Sequence, residues 1–295
     1  MKLPPFAYES PETLAEVLDL LAEWGDEAKV LAGGQSLIPL LAFRLARPGL
    51  LVDINRVREL ESAEHTSGRL VFGSLTRHRA VEQASAGRIP TAIREAVTQI
   101  GHVAIRNRGT VGGSLAHADP SSEWGAAALV YDGMIQARSA NGERQIPAEK
   151  FFVGFLASDL RPDEVITRLV LHLPEQPAGS AFVEYARRHG DFALGGVAVV
   201  LALSPERAIR HVRVAVMGAA SRPTRCHAAE AALLGREFGD APVDDATRVL
   251  ADDLELTGTD SDDRRFRLQI ARTLARRVLR AAAGRAEQEV GAHAG

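Results

Sequence analysis

Two short glycine-rich segments, far apart along the chain, hold the residues best suited to binding a phosphate group. The first covers residues 32–36 (AGGQS) and the second covers residues 110–114 (TVGGS). Each pairs two glycines with a hydroxyl residue at an expected turn. Glycine adopts positive φ and lets a backbone approach a ligand closely. Consecutive N–H groups can then form a concavity that binds an anion. Two such loops facing each other would suit a pyrophosphate.

Neither loop identifies a particular nucleotide site by itself. No Lys-Ser or Lys-Thr pair follows the glycines, as a phosphate-binding loop requires, and neither segment contains the Gly-x-Gly-x-x-Gly dinucleotide pattern. A double glycine is also common in ordinary turns. The residues therefore indicate either a phosphate-containing cofactor held in a non-Rossmann manner or two structural turns.

Other chemistry finds little support in the sequence. Cys226 is the one cysteine, so the chain has no intrachain disulfide and no cysteine set for an iron–sulfur cluster or a zinc site. His117 could act as an acid or base, although a role in loop geometry is the simpler interpretation. Arg106 and Arg108 could offset phosphate charge or lie on the surface. No paired-histidine metal motif and no nucleophile elbow are found.

Composition excludes several classes of partner. The 295 residues are 46% apolar, 25% charged and 5% aromatic, with a formal net charge of -3. Such a charge gives no long-range attraction to nucleic acid or to an acidic membrane. No apolar stretch reaches the roughly 18 residues that span a bilayer. The first residues lack the apolar core of a signal peptide, so we expect a cytoplasmic location.

The elements around the first loop form a β–α–β unit. Hydrophobic periodicity predicts a helix that is capped by Ser10 and ends at Gly25. A short strand at 30–32 then leads through the glycine loop into a helix at 37–45, and a buried strand follows at 50–54. The first loop thus joins a strand to a helix.

The rest of the chain changes texture near residue 177. Before that point, strands are expected at 69–73 and 164–173, and a helix at 90–100. After it come three strands, followed by helices from residue 228. The strands are expected at 181–187, 193–203 and 210–217, and the last helix at 264–287. Arginines crowd the outer faces of that helix and form either a solvated surface or a docking surface for a partner.

Three segments together resemble a known family. Residues 32–39 (AGGQSLIP) resemble the first FAD signature of the medium subunits of carbon monoxide dehydrogenases and related molybdenum hydroxylases. Residues 110–114, followed by His-Ala-Asp-Pro at 117–120, resemble their second signature. Residues 187–193 (RRHGDFA) resemble a third stretch at the start of the C-terminal domain. The order and spacing agree over nearly the whole chain.

The resemblance implies an α+β fold. A two-subdomain FAD-binding domain of the vanillyl-alcohol oxidase and xanthine dehydrogenase type is expected at 1–176, with subdomains at about 1–55 and 56–176. A C-terminal flavoprotein domain is expected at 177–295, with a three-stranded antiparallel sheet and a helical bundle.

The resemblance also implies the residues that hold FAD. Both glycine loops would wrap the pyrophosphate and ribityl chain, Glu123 would contact the cofactor, and Ile166 would contribute backbone near the interdomain strand. Phe192 would lie near the flavin ring, although a core aromatic is the simpler interpretation. The full set is Lys29, Val30, Leu31, Ala32, Gly33, Gly34, Gln35, Ser36, Thr110, Val111, Gly112, Gly113, Ser114, Glu123, Ile166 and Phe192. No catalytic residue and no metal ligand are expected in this chain.

The implied enzyme divides its cofactors among three kinds of subunit. A large subunit would carry a molybdenum pterin cofactor, and a small one would carry two [2Fe–2S] clusters. This chain would receive electrons from the clusters on FAD and pass them to an external acceptor. Many relatives have histidine where this chain has Gln35, and glutamine occurs in relatives that hydroxylate nitrogen heterocycles. Two alternatives stay open, a stand-alone FAD oxidoreductase and a non-catalytic interaction protein.

Overall fold

The computed structural model describes residues 2–66, 68–85 and 87–293. It contains mixed strands and helices in an order that changes character after residue 178. The strands are β1 (Ala7–Glu9), β2 (Ala28–Leu31), β3 (Leu50–Asp53), β4 (Ala63–Thr66), β5 (Arg69–Gly73), β6 (Met134–Ser139), β7 (Gly142–Pro147), β8 (Phe152–Gly154), β9 (Ala157–Ser158), β10 (Val165–His172), β11 (Gly179–Tyr185), β12 (Gly195–Leu203), β13 (Ile209–Met217) and β14 (Thr224–Arg225).

The helices pack on these strands and connect them. They are α1 (Leu14–Trp24), α2 (Leu37–Ala42), α3 (His78–Glu82), α4 (Thr91–Gln99), α5 (Val103–Arg108), α6 (Val111–His117), α7 (Glu123–Val130), α8 (Ala148–Phe151), α9 (His227–Leu233), α10 (Asp240–Val249) and α11 (Ser261–His293). Short 3₁₀ turns lie at Gly25–Glu27, Arg58–Leu60 and Leu250–Asp252. In the described part of the chain, no helix is both long enough and apolar enough to span a bilayer.

The first sheet is parallel and has the strand order β1-β3-β2. It confirms the predicted β–α–β unit, in which the first glycine loop joins β2 to α2. The predicted Ser10 cap is wrong, because Thr13 caps α1 and forms a reciprocal capping box with Glu16. That pair satisfies backbone N–H groups at both ends of the first turn, which Ser10 cannot do. The helix ends at Gly25, as expected.

The second sheet is antiparallel and has the order β4-β5-β10-β6-β7. Its inner face packs against α4, α6 and α7 in the largest apolar cluster, which contains Trp124 and Phe151. The second glycine loop does not form an open turn. Its residues build the first turn of α6, and Thr110 is the N-cap.

The third sheet has the order β11-β12-β13-β14 and is antiparallel throughout. Its three long strands are the three that the sequence predicts, and the two-residue β14 extends the edge. The apolar face of α11, with Leu274 and Val278, packs on β11 and β12 in a second core. The helix is longer at both ends than the predicted 264–287.

Candidate functional site

A cavity of about 790 Å³ is lined by residues of β2 in the first sheet and of β10 in the second. Both glycine loops form part of its wall, together with the β8–β9 hairpin, the start of β10 and the loop that joins β11 to β12. Fourteen of the sixteen residues expected to hold FAD line it. The two exceptions are Leu31, which lies within β2, and Val111, which is fully buried beneath the loop.

The first glycine loop packs against the second loop and against Arg108 and Gly109, the two residues directly before it, so together they form one continuous wall. A Cβ atom at Gly33 would lie 2.4 Å from the carbonyl oxygen of Arg108 and 2.9 Å from the Cα of Gly109. A Cβ atom at Gly113 would lie 3.9 Å from the Cβ of Ala32. Gly33 is therefore needed so that the loops can pack together, which differs from the sequence expectation that it allows close approach of a ligand.

A guanidinium group fastens the loops at this contact. Asn55 donates from its side-chain nitrogen to the carbonyl of Ala32 at 2.8 Å. Arg77 donates to the side-chain oxygen of Asn55 at 2.6 Å and also donates to the carbonyl of Arg108. Because one planar group reaches both partners, Arg77 ties the first loop, through Asn55, to Arg108, which lies two residues before the second loop. We call Asn55 and Arg77 the loop clamp.

The first loop offers backbone donors to the cavity. Within the described residues, the N–H groups of Gly33, Gly34, Gln35 and Ser36 donate to no protein acceptor. Gly34 has φ +73°, the left-handed conformation that glycine adopts without strain. The Gln35 amide donates to the carbonyl of Gly33 at 3.0 Å and so braces the loop from within. Unpaired N–H groups that converge in this way form a nest for an anion.

The second loop differs from the first in its hydrogen bonding. The N–H groups of residues 111–114 all donate within the chain, to Thr76, Ser74 and Thr110. The expectation that consecutive N–H groups of this loop form an anion cradle is therefore wrong in this structure. Gly112 is required for a different reason, since a Cβ there would lie 2.4 Å from the Cβ of Ser74. This loop presents the face of Gly113 and the Ser114 hydroxyl to the cavity.

Sequence reasoning missed a group of polar residues that directly follows β5. Ser74, Arg77 and His78 all contact or support the second loop, and the cavity is lined by Ser74 and His78. The Ser74 hydroxyl oxygen is buried and has no partner in the described residues. Their position directly after a strand is the sequence feature that could have identified them, because polar residues in such loops often form functional sites.

The three charged or titratable residues that the sequence analysis considers lie in different environments. Arg106 is buried in a two-pronged ion pair with Glu82 and does not line the cavity, so it is not available to a phosphate. Arg108 is exposed, and its backbone carbonyl rather than its side chain takes part, by accepting a hydrogen bond from Arg77. His117 lines the cavity near Asp119, and burial lowers its pKa. Among the described residues, no cluster of metal-binding side chains is found.

Phe192 lies at the rim of the cavity and is 73% exposed. The simpler expectation of a core aromatic is therefore wrong. Its neighbour Asp191 closes a tight turn by donating its N–H to the carbonyl of Arg188 at 3.1 Å. Ile166 also lines the cavity and lies beside an irregularity in the pairing of β10 with β6. An exposed aromatic beside a cavity can cover a bound planar ring.

Two carboxyl groups lie near each other at the inner end of the site. Burial raises the pKa of Glu123 well above its usual range, and the charges of Glu184 and Asp119 raise it further. Burial also raises the pKa of Glu184 to about 7. One oxygen of Glu184 is buried without a partner. Glu123 lines the cavity, so a neutral carboxyl there could donate a hydrogen bond to a ligand.

Replacing Glu184 with glutamine is expected to stabilise the flavin-free chain more at pH 8 than at pH 5. The carboxyl has a pKa of about 7 in the folded state against 4.5 as the reference value. The stability that the neutral Glu184 carboxyl contributes is therefore fully present below pH 4.5 and is lost as the pH rises through 7. The loss amounts to up to about 3 kcal/mol. Thermal unfolding at both pH values measures it. Equal gains at both pH values would contradict a raised pKa, and exposed Glu175→Gln is the control.

Two family models match the chain. One, described as the FAD binding domain in molybdopterin dehydrogenase, matches residues 4–175. The other, described as the CO dehydrogenase flavoprotein C-terminal domain, matches residues 180–282.

Individual proteins agree with these matches. The chain is 39% identical to the 6-hydroxypseudooxynicotine dehydrogenase complex subunit alpha of Paenarthrobacter nicotinovorans, over 97% of both chains. It is 42% identical to the caffeine dehydrogenase subunit beta of Pseudomonas sp. (strain CBB1), over 83% of both. Its fold matches a chain of the carbon monoxide dehydrogenase from Hydrogenophaga pseudoflava with a TM-score of 0.91 and 32% identity, over 97% of this chain and 99% of that one.

Proposed function

Since this chain belongs to the family of FAD-binding medium subunits of molybdenum hydroxylases, we propose that it is the electron-transfer subunit of such an enzyme. It takes electrons from iron–sulfur clusters on a small partner subunit and passes them to an external acceptor. Oxidation of the organic substrate takes place at a molybdenum pterin cofactor on a large partner subunit. The observation that supports the proposal is that both segments that resemble FAD signatures line the same cavity.

Membership of the family confirms the α+β fold and the FAD cofactor that the resemblance implied. The domain boundaries stay a proposal. We assign residues 1–176 to the FAD-binding domain, divided at about residue 55, and residues 177–295 to the C-terminal domain. The first parallel sheet falls before that division, and the third sheet begins just after residue 177.

The residues of the cavity suit FAD in shape and in hydrogen bonding. A volume of about 790 Å³ is within the range of cofactor sites. The four free N–H groups of the first loop are donors, as the ionised diphosphate of FAD requires. The buried hydroxyl of Ser74 has no protein partner. A neutral Glu123 and the exposed ring of Phe192 add a donor and a flat apolar surface to the same cavity.

Bound flavin accepts and releases electrons singly or in pairs, and the chain's own residues hold it in place. The first loop binds the diphosphate, and the loop clamp keeps that loop against the second. Phe192 shields one side of the ring system. Binding the diphosphate and shielding the ring in this way require no general base in this chain.

A visible spectrum of the purified chain tests the proposal. We expect a yellow protein with an absorption band near ~450 nm, which disappears on treatment with a reductant. A colourless chain that does not take up added FAD would contradict the proposal and favour an interaction protein. Substrate oxidation by this chain alone would favour a stand-alone oxidoreductase. Activity that appears only with the large and small partner subunits supports the electron-transfer assignment.

Replacing Phe192 with alanine is expected to change the flavin spectrum and its reduction potential while the stability of the chain stays nearly constant. The ring is exposed, so its removal leaves no internal cavity. A bound flavin would lose an apolar neighbour and gain water contact. Spectroelectrochemical titration measures the potential. The matched control is Phe155→Ala, also exposed but outside the cavity lining. Identical spectra and potentials in the wild type and in Phe192→Ala would remove Phe192 from the site.

The cytoplasmic location expected from the sequence stays a prediction. Fractionation of cells with an antibody against this chain would test it.

A further inference from the structure

A buried histidine supports the second glycine loop from below. The ring of His78 lies between Trp124 and Ser114, and the Gly109 backbone packs closely against it. The indole Nε1 of Trp124 is 3.0 Å from Nδ1 of His78, and the hydroxyl oxygen of Ser114 is 3.3 Å from Nε2. The three side chains therefore form a hydrogen-bonded row that ends at the cavity.

The direction of this row is fixed at its buried end. An indole N–H can only donate, so Nδ1 of His78 must accept. Burial, together with the smaller effect of the charges of Arg77 and Arg106, lowers the pKa of His78 to about 3. The ring is therefore neutral at ordinary pH, and its one hydrogen lies on Nε2. Nε2–H must then donate to the oxygen of Ser114.

The hydroxyl of Ser114 therefore keeps its hydrogen available for one further hydrogen bond. Its oxygen accepts from His78, so its hydrogen is directed elsewhere. In the ranges 2–66, 68–85 and 87–293, that hydrogen has no acceptor, and Ser114 lines the cavity. The adjacent Gly113 is the residue at which the second loop meets the first.

We infer that His78 is a positioning residue that makes the Ser114 hydroxyl an obligate donor to a phosphate oxygen of the bound FAD. Together with the four free N–H groups of the first loop, the Ser114 hydroxyl provides a group of five donors that line the same cavity. An ionised diphosphate only accepts hydrogen bonds, so it matches this set. A ligand that presents O–H or N–H groups here would leave them unpaired. This inference rests on the proposed function.

Four variants of the full chain test the inference by their affinity for FAD, measured from the quenching of flavin fluorescence. His78→Asn keeps an acceptor for Trp124 but has no donor for Ser114, whereas His78→Gln places an amide donor near Nε2. Ser114→Ala removes the hydroxyl, and the double variant combines His78→Asn with Ser114→Ala. We expect about tenfold weaker binding for His78→Asn and for Ser114→Ala, as for the loss of one hydrogen bond. The double variant should bind no more weakly than Ser114→Ala alone. His78→Gln should stay within about threefold of wild type.

Two further readouts distinguish positioning from a merely structural role. The ³¹P resonances of bound FAD should shift in His78→Asn in the same direction as in Ser114→Ala. In ¹⁵N spectra of the wild type, which needs no substitution, the hydrogen of His78 should be found on Nε2.

Three outcomes would overturn the inference while leaving the flavoprotein assignment intact. They are FAD binding unaffected by His78→Asn, additive losses in the double variant, and a hydrogen on Nδ1. Failure of the wild-type chain to bind FAD would instead overturn the proposed function.

Discussion

Replacing Gly33 with alanine is expected to weaken FAD binding by on the order of 100-fold, equivalent to losing one or two charge-assisted hydrogen bonds. The new Cβ would lie 2.4 Å from the carbonyl oxygen of Arg108 and 2.9 Å from two further backbone atoms. Backbone atoms cannot rotate away as a flexible side chain can. The two loops must therefore separate by about 1 Å to reach ordinary contact distance, which displaces the free N–H groups from the diphosphate.

Fluorescence titration with FAD measures this loss. Gly284→Ala is the matched control, because Gly284 lies within α11, a Cβ there meets nothing within 4 Å, and its φ is not in the left-handed region. That change should leave FAD binding unaltered and stabilise the helix slightly. Full flavin occupancy and unchanged affinity in Gly33→Ala would show that the loops need not touch in order to hold the cofactor.

Replacing Arg77 with methionine is expected to weaken FAD binding by roughly 10- to 100-fold and to lower the free energy of unfolding by about 1–3 kcal/mol. Methionine retains an unbranched apolar side chain but loses the donors to Asn55 and to the carbonyl of Arg108. Both loops would remain folded, each on its own sheet. They would no longer be held at a fixed separation.

Hydrogen exchange identifies this mechanism directly. In Arg77→Met, amide exchange should accelerate in residues 31–36 and in residues 108–114 together, because one group serves both loops. Arg56→Met is the control, since Arg56 is exposed and, within the described residues, its ion pair is with exposed Glu12. Faster exchange in one loop alone would contradict the clamp. Arg77→Lys should rescue poorly, because an ammonium group lacks the planar fork that reaches both acceptors.

The sequence was a good guide wherever local pattern decides the structure. The β–α–β unit follows from short-range periodicity, and the three long strands of the C-terminal sheet follow from apolar alternation, so both were predicted. Both loops were located because each pairs two glycines with a hydroxyl residue and resembles a family signature in the expected order. The sequence predicts Ser10 as the cap of α1, whereas the cap is Thr13. Both residues have hydroxyl side chains, and only the capping box with Glu16 distinguishes Thr13.

The loop clamp and the buried histidine could not have been predicted in the same way. Asn55 and Arg77 are 22 residues apart, and their partners lie on two different loops. Nothing near His78 in the sequence indicates that Trp124 lies against its ring. The second loop was misjudged for a related reason. Its N–H groups look free in the sequence, but those of Val111 and Gly112 donate to the segment that follows β5, and those of Gly113 and Ser114 donate to Thr110.

The cavity wall comes from distant parts of the chain, including residues 29–30, 32–36, 109–110, 112–114 and 190–192. During synthesis on the ribosome, the glycine loops emerge long before the rim that carries Phe192. With the proposed placement of FAD, the end of the cavity that holds the diphosphate could therefore form early, while the end that holds the ring would stay open to water until the third sheet has formed. If the cofactor binds as proposed, we expect stable capture only after the third sheet has folded.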